Sequence, residues 1–118
     1  NRAFYPHRTF EAGEVARHDL TQPLGSRTVM VLGGMIAHAD AHFSEAHSCL
    51  DTLFYYVNHT YSLEPIQHPS FLAGRVGSIV SRGKQVGVIG ELHPEVLERW
   101  QIGVPAVAFE LDLTELAE

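Results

Sequence analysis

The sequence predicts an α+β fold in which a mainly antiparallel sheet is flanked by helices. Three observations carry that expectation. Residues 28–38 are apolar on both faces, as an internal strand requires. Residues 44–57 hold one amphipathic helical repeat, the clearest in the chain. From residue 60 onward, short strand-like runs are joined by tight turns, leaving little room for the crossover helices of a parallel sheet.

Residues 9–17 alternate loosely and carry Gly13, which fits an edge or bulged strand. Thr21-Gln22-Pro23-Leu24-Gly25-Ser26 is rich in turn formers and reads as a linker. In the internal strand, Val29, Val31 and Met35 share one face, and Met30, Leu32 and Ile36 the other. The helix is expected to start at Ser44, whose hydroxyl suits an N-cap. Its apolar stripe is Ala46, Cys49, Leu50, Leu53, Phe54 and Val57, with Glu45, Ser48 and Asp51 turned to water.

Residues 60–67 can form a further strand. Residues 75–82 and 84–92 read as a hairpin turning at Arg82-Gly83, with Val86, Val88 and Leu92 sharing one face of the second arm. Gly77, Gly87 and Gly90 in these arms signal a bulge or a close backbone approach. His93-Pro94-Glu95 opens a short helix, because Pro suits the first helical position and Glu95 complements the positive helix end. Val96, Leu97 and Trp100 are its expected apolar face, and Gly103 its stop. Finally, Val107, Phe109, Leu111 and Leu113 alternate with Glu110 and Asp112, a period-two strand.

A chain of 118 residues with 45% hydrophobic content has the size and composition of one globular domain. No apolar run of membrane-spanning length occurs. Cys49 is the sole cysteine, so no internal disulfide forms and an oxidising compartment is not indicated; a cytoplasmic protein is expected. The first residues, Asn1-Arg2-Ala3-Phe4-Tyr5-Pro6, show neither an initiator Met nor a signal-peptide pattern, and the chain reads as a piece of something longer. A net charge of −6 with scattered lysines and arginines argues against a nucleic-acid surface on this piece.

Three sets of residues could carry chemistry. His38, His42 and His47, with Asp40, have ligand types suited to zinc, but they straddle a strand–loop–helix junction, and solvated histidines around a turn are the simpler reading. His68, His93 and Glu91 could act as acid and base, yet no activated nucleophile accompanies them, and His93 is better placed to satisfy a helix end. Arg75, expected to be buried, needs a carboxylate partner, for which Glu91, Glu110 and Asp112 are candidates. Arg75, Glu91, His93 and Glu110 are therefore read as structural or subunit-interface residues, and no catalytic, cofactor-binding or metal-binding residue is assigned.

Between residues 68 and 113 an ordered string of rare words appears. It runs His68-Pro69-Ser70-Phe71, Gly74-Arg75, Val88-Ile89-Gly90-Glu91-Leu92-His93-Pro94-Glu95 and Phe109-Glu110-Leu111-Asp112-Leu113. With Phe10-Glu11-Ala12-Gly13-Glu14-Val15 near the start, it resembles the β chain of phenylalanyl-tRNA synthetase of the archaeal and eukaryotic type. The match is to the C-terminal part of that chain's catalytic-like domain.

The resemblance implies a class II aminoacyl-tRNA synthetase-like fold, with residues 1–118 forming part of a single non-catalytic domain. It implies an α-subunit partner in an α2β2 tetramer, with tRNA handled by the whole enzyme and no membrane contact. ATP and magnesium would serve the whole ligase, and no cofactor this fragment. Class II enzymes hold ATP with Arg residues from two signature segments. Phe10-Glu11-Ala12-Gly13-Glu14 stands where the first would be, but no Arg-bearing Gly-rich segment matches the second near Leu113. The family often has a Lys near the place of His47, so any role of that Lys is in doubt here. The rival readings are a stand-alone class II-like binding module without catalysis and a small metal enzyme using the three histidines.

Overall fold

The computed structural model describes residues 7–18, 21 and 25–117. Its strands are β1 (His7–His18), β2 (Ser26–Ala37), β3 (Ser62–Pro65), β4 (Phe71–Ser81), β5 (Lys84–Leu92) and β6 (Ala106–Asp112). They form a six-stranded sheet in the order β1-β2-β6-β5-β4-β3, and every pairing is antiparallel. The helices are α1 (Phe43–Val57), α2 (Pro94–Arg99) and α3 (Leu113–Ala117). The α+β expectation holds. Residues 22–24 of the predicted linker at residues 21–26 lie outside the described residues, as do residues 1–6.

β1 is an edge strand in unbroken register with β2, from His7 opposite Ala37 to His18 opposite Ser26. β2 is internal but pairs with β6 only from Val31 to Ala37, so the outer part of the β1–β2 ribbon projects past β6. β6, last in sequence, lies between β2 and β5 and closes the sheet.

α1 lies across β5, β6 and β2 and buries Ala46, Leu50 and Phe54, spaced four apart. They meet Ile36, Ile79, Ile89, Val107, Phe109 and Leu111 from the sheet, and Leu116 from α3. Each large side chain buried this way contributes about 1.5–3 kcal/mol. Val57, assigned to the stripe from the sequence, is exposed, because the helix closes at Asn58. Asn58 takes a left-handed conformation, and His59 N–H reaches the Phe54 carbonyl at 3.1 Å, a common way to end a helix.

The N-cap is His42 rather than Ser44. Glu45 at N3 folds back to accept the His42 backbone N–H at 3.1 Å, while its own N–H donates to the His42 carbonyl. The carboxylate thus accepts the N–H of the N-cap residue itself, the reciprocal bond of a capping box. Glu45 is consequently half-buried rather than turned to water.

The β4–β5 hairpin turns at Arg82-Gly83, both at positive φ (53° and 77°), a type I′ geometry that matches strand twist. A register shift between Ile79/Gly87 and Val80/Gln85 leaves Val86 as an extra residue. That bulge reverses the alternation. Val86 enters the core under α1, while Val88 and Leu92 face the opposite side, so the three do not share a face. Gly87 is required by close approach: a Cβ there would sit 2.1 Å from the Glu110 carbonyl oxygen on β6.

The opposite sheet face carries a smaller core of Ala37, Phe71, Val76, Leu92 and Ala106 beneath Val96 of α2. α2 ends at Arg99, where Gln101 takes φ 58° and Ile102 N–H bonds the Leu97 carbonyl at 2.8 Å, so Gly103 is not its stop. The β6 alternation is as predicted up to Asp112, but Leu113 begins α3 and packs beside the main core.

Candidate interface site

The side chains singled out from the sequence fall into three places. At the first, Glu91 on β5 joins three elements. Arg75 Nη1 donates to its Oε1 at 2.9 Å, and the Phe43 backbone N–H at the start of α1 donates to its Oε2 at 3.2 Å. A second register shift, between Phe71 and Val76, contains Gly74 at φ 78° and brings Arg75 opposite Glu91. The same irregularity lifts Arg75 outward: its side chain is 62% exposed and that of Glu91 only 14%. The arginine expected to be buried is a surface residue holding a half-buried carboxylate. Of its other proposed partners, Glu110 reaches Arg17 at 3.4 Å and Asp112 accepts the Glu115 N–H at 2.9 Å.

His93 and His68 mark the second place. His93 Nδ1 accepts the Glu95 N–H at 3.1 Å and caps α2. His68 Nδ1 accepts the Ser70 N–H at 3.1 Å and stands edge-on to Phe71. The His93 N–H bonds the Ser70 carbonyl at 2.8 Å, tying the two loops together. Each imidazole uses one nitrogen on backbone, and Glu91 is occupied by Arg75 and Phe43, so these groups are not assembled as an acid–base set.

The third place is the start of α1. The His38 Nε2 lies 2.7 and 2.8 Å from the two Glu45 oxygens, and its Nδ1 accepts the Asp40 N–H at 3.2 Å. That network assigns the proton to Nε2, leaving neither nitrogen open to a metal. Partial burial pushes the Glu45 carboxyl up, but hydrogen bonds from His38 and the His42 N–H, with the electrostatic attraction of the two imidazoles, outweigh it. Its pKa falls below the ordinary value. His47 is separated from the other two and packs against Tyr61, 6.0 Å between rings, with Asp51 at 3.9 Å. Tyr61 donates to Asp51, and burial followed by that carboxylate raises its pKa. Among the described residues, no group of three His, Cys, Asp or Glu side chains is arranged to hold a metal.

The sheet face away from α1 is only partly covered. Beside α2 it forms a groove of about 560 Å³ whose floor is Gly33, Met35, Ala108 and Val88. Phe71, Val96 and Trp100 wall it, and Glu11, Glu110 and Arg99 stand around it. Glu11, from the predicted first signature segment, therefore sits on β1 at the groove's edge.

The sequence reading missed the largest exposed side chains. Trp100, expected to be buried, is 62% exposed, because α2 closes before its last turn can reach the sheet. Tyr55 and Tyr56 are 80% and 79% exposed, off the buried stripe of α1. Their signal was present: neither belongs to the Ala46–Leu50–Phe54 repeat.

Comparison with known proteins agrees with the ordered words of the sequence. Residues 1–113 match the family described as the phenylalanyl tRNA synthetase beta chain CLM domain. The chain is 38% identical over 112 residues to the phenylalanine–tRNA ligase beta subunit of Thermococcus gammatolerans, covering 95% of this chain and 20% of that one. The corresponding subunit of Pyrococcus abyssi is 40% identical over the same shares of the two chains. That of Treponema pallidum is 40% identical over 114 residues, 97% of this chain and 19% of the relative. The chain thus spans about a fifth of the length of the curated relatives it matches. With residues 1–113 matched and this identity along nearly its whole length, the chain belongs to the phenylalanyl tRNA synthetase beta chain CLM domain family.

Proposed function

We propose that this chain is the latter part of the catalytic-like domain of a phenylalanine–tRNA ligase β subunit. There it acts as a scaffold with a class II synthetase-like fold and no catalysis of its own. The family match over residues 1–113 carries this reading. The antiparallel sheet and its long β1–β2 ribbon support it. So does the engagement of Arg75, Glu91, His93 and Glu110 in contacts within the domain.

In this reading residues 1–118 belong to one domain, and the α subunit performs the activation of phenylalanine with ATP and magnesium and its transfer to tRNA. Two α and two β chains assemble in the cytoplasm, tRNA is bound by the whole enzyme, and this segment braces the α active site. Among the described residues no helix is long and apolar enough to cross a membrane.

The test is sedimentation of this chain alone and mixed with the α subunit from the same source, with ATP and phenylalanine present as controls. A mixed complex, with no ligand bound by the chain alone, is expected. Failure to associate, or ATP binding by the isolated chain, would replace the scaffold with a stand-alone binding module.

A further inference from the structure

β2 contains a glycine that the fold itself does not need. A glycine inside a strand weakens it, and it marks a bulge, a close backbone approach or the approach of a ligand. At Gly34 the reason is internal, since a Cβ would sit 2.6 Å from the Phe109 ring. Gly33 has no such reason. Its pairings with β1 and β6 are in unbroken register, its φ is not positive, and a Cβ would meet nothing closer than the Phe109 carbonyl oxygen at 3.9 Å. What the missing side chain provides is depth, because Gly33 is part of the floor of the groove of about 560 Å³ beside α2. Grooves of that size hold small ligands.

The groove carries an uncommitted charge of each sign. Glu11 and Glu110 are the cross-strand neighbours of Gly33, one on each side. Glu110 is held by Arg17 at 3.4 Å, whereas Glu11 makes no hydrogen bond or ion pair among the described residues. The other end lies by α2, where Val96 packs with Ala37 and Ala106. Arg99 stands there, likewise without a hydrogen bond or ion pair among the described residues. Between the two charges the floor of Met35, Ala108 and Val88 and the Phe71 and Trp100 walls are apolar. The complementary ligand is positive at one end, negative at the other and apolar between. Gly33 and Ala37 are four residues apart on β2, about 13 Å. A single amino acid spans about 3.5 Å and a di- or tripeptide about 7–10 Å, leaving the remainder to the Glu11 and Arg99 side chains.

We infer that the groove binds a short peptide of two or three apolar residues with both termini unblocked. Its ammonium group sits over Gly33 against the Glu11 carboxylate, and its terminal carboxylate pairs with the Arg99 guanidinium. Its side chains lie on Met35 and Ala108 beside the Phe71 and Trp100 rings. Charge-assisted hydrogen bonds at the two ends fix its length and direction.

The experiment titrates leucyl-leucine into the full-length β subunit by calorimetry. Saturable binding with a Kd below about 1 mM is expected. N-acetyl-leucyl-leucine and leucyl-leucine amide, each lacking one charge, should bind at least about tenfold more weakly. Glu11→Gln should weaken leucyl-leucine by about the same factor and leave the N-acetyl form unaffected, and Arg99→Gln should do so for the amide. Gly33→Val fills the groove with a strand-favouring side chain and should abolish binding without lowering the melting temperature. Should Gly33→Val fail to fold, the exposed Glu11→Gln and Arg99→Gln still decide the matter. No saturable binding up to about 10 mM, or undiminished binding by folded Gly33→Val, would overturn the inference. Blocked dipeptides that bind as tightly as leucyl-leucine would reduce the groove to an apolar patch and overturn it too. Leucine binding as tightly as the dipeptide would refute the peptide as ligand.

Discussion

Replacing Phe54 with Ala tests whether α1 is the main stabiliser of the domain. Phe54 is 2% exposed, lies in the principal core with Leu50 and Leu111, and has the Tyr61 ring 4.5 Å away. A buried Phe→Ala change costs about 3–5 kcal/mol, combining lost transfer energy with the cavity left behind. A domain of this size is stable by about 6–18 kcal/mol, so the loss is a large share of the whole. It corresponds to a fall in melting temperature of about 10–25 °C. The neighbouring Tyr55, 80% exposed, is the internal control: Tyr55→Ala should change stability by no more than about 0.5 kcal/mol. Urea unfolding followed by far-UV circular dichroism measures both. Equal losses at the two positions would mean that the helix is rotated from the orientation described, and the argument would fail. Phe54→Asp is harsher, adding an unpaired buried charge, and should abolish cooperative melting.

Gly87→Ala places a methyl group against the Glu110 carbonyl and forces β5 from β6. It should cost about 3 kcal/mol or more, while Gly103→Ala, with open space around it, should be near neutral in the same unfolding assay. Glu91→Ala removes the acceptor for both Arg75 and the α1 N-terminus and should cost about 1–2 kcal/mol, against about 0.5 kcal/mol for the exposed Arg75→Ala. Equal costs would show that the Phe43 bond contributes nothing. Glu45 titrates below its ordinary value of 4.5 in the folded chain. Its contribution is therefore present above that value and is lost as pH falls through the lower folded pKa. Urea midpoints measured down to about pH 3 should fall less steeply for Glu45→Gln than for the wild type. Parallel slopes would remove Glu45 from the acid response.

Much of the fold is written locally. The Ala46–Leu50–Phe54 repeat, the Arg82-Gly83 turn, the His93-Pro94 helix start and the alternation of β6 each follow from the preferences of a few adjacent residues. The residue types and order of the His-Pro, Gly-Arg and Glu-Leu-His-Pro words were also enough to identify the family that the match over residues 1–113 shows.

Only the tertiary structure decided where those pieces meet. Gly87 signals a bulge or a close backbone approach, but no local feature says that Val86 is the residue turned to the other core, because a one-residue shift is set by the partner strand. The capping choice of His42 over Ser44 depends on Glu45 being held by His38, which belongs to the preceding strand–loop segment. Arg75 reads as buried from its apolar neighbours and is exposed because an irregular stretch of β4 lifts it above Glu91. Trp100 and Val57 belong by spacing to apolar faces, but each helix stops before the face can close. The insertion of β6 between β2 and β5 is likewise a long-range pairing. Composition, period and motif are local quantities that the chain states directly. Strand order, bulge position and the exposure of Tyr55 and Tyr56 depend on which distant surfaces come together, and packing alone settles that.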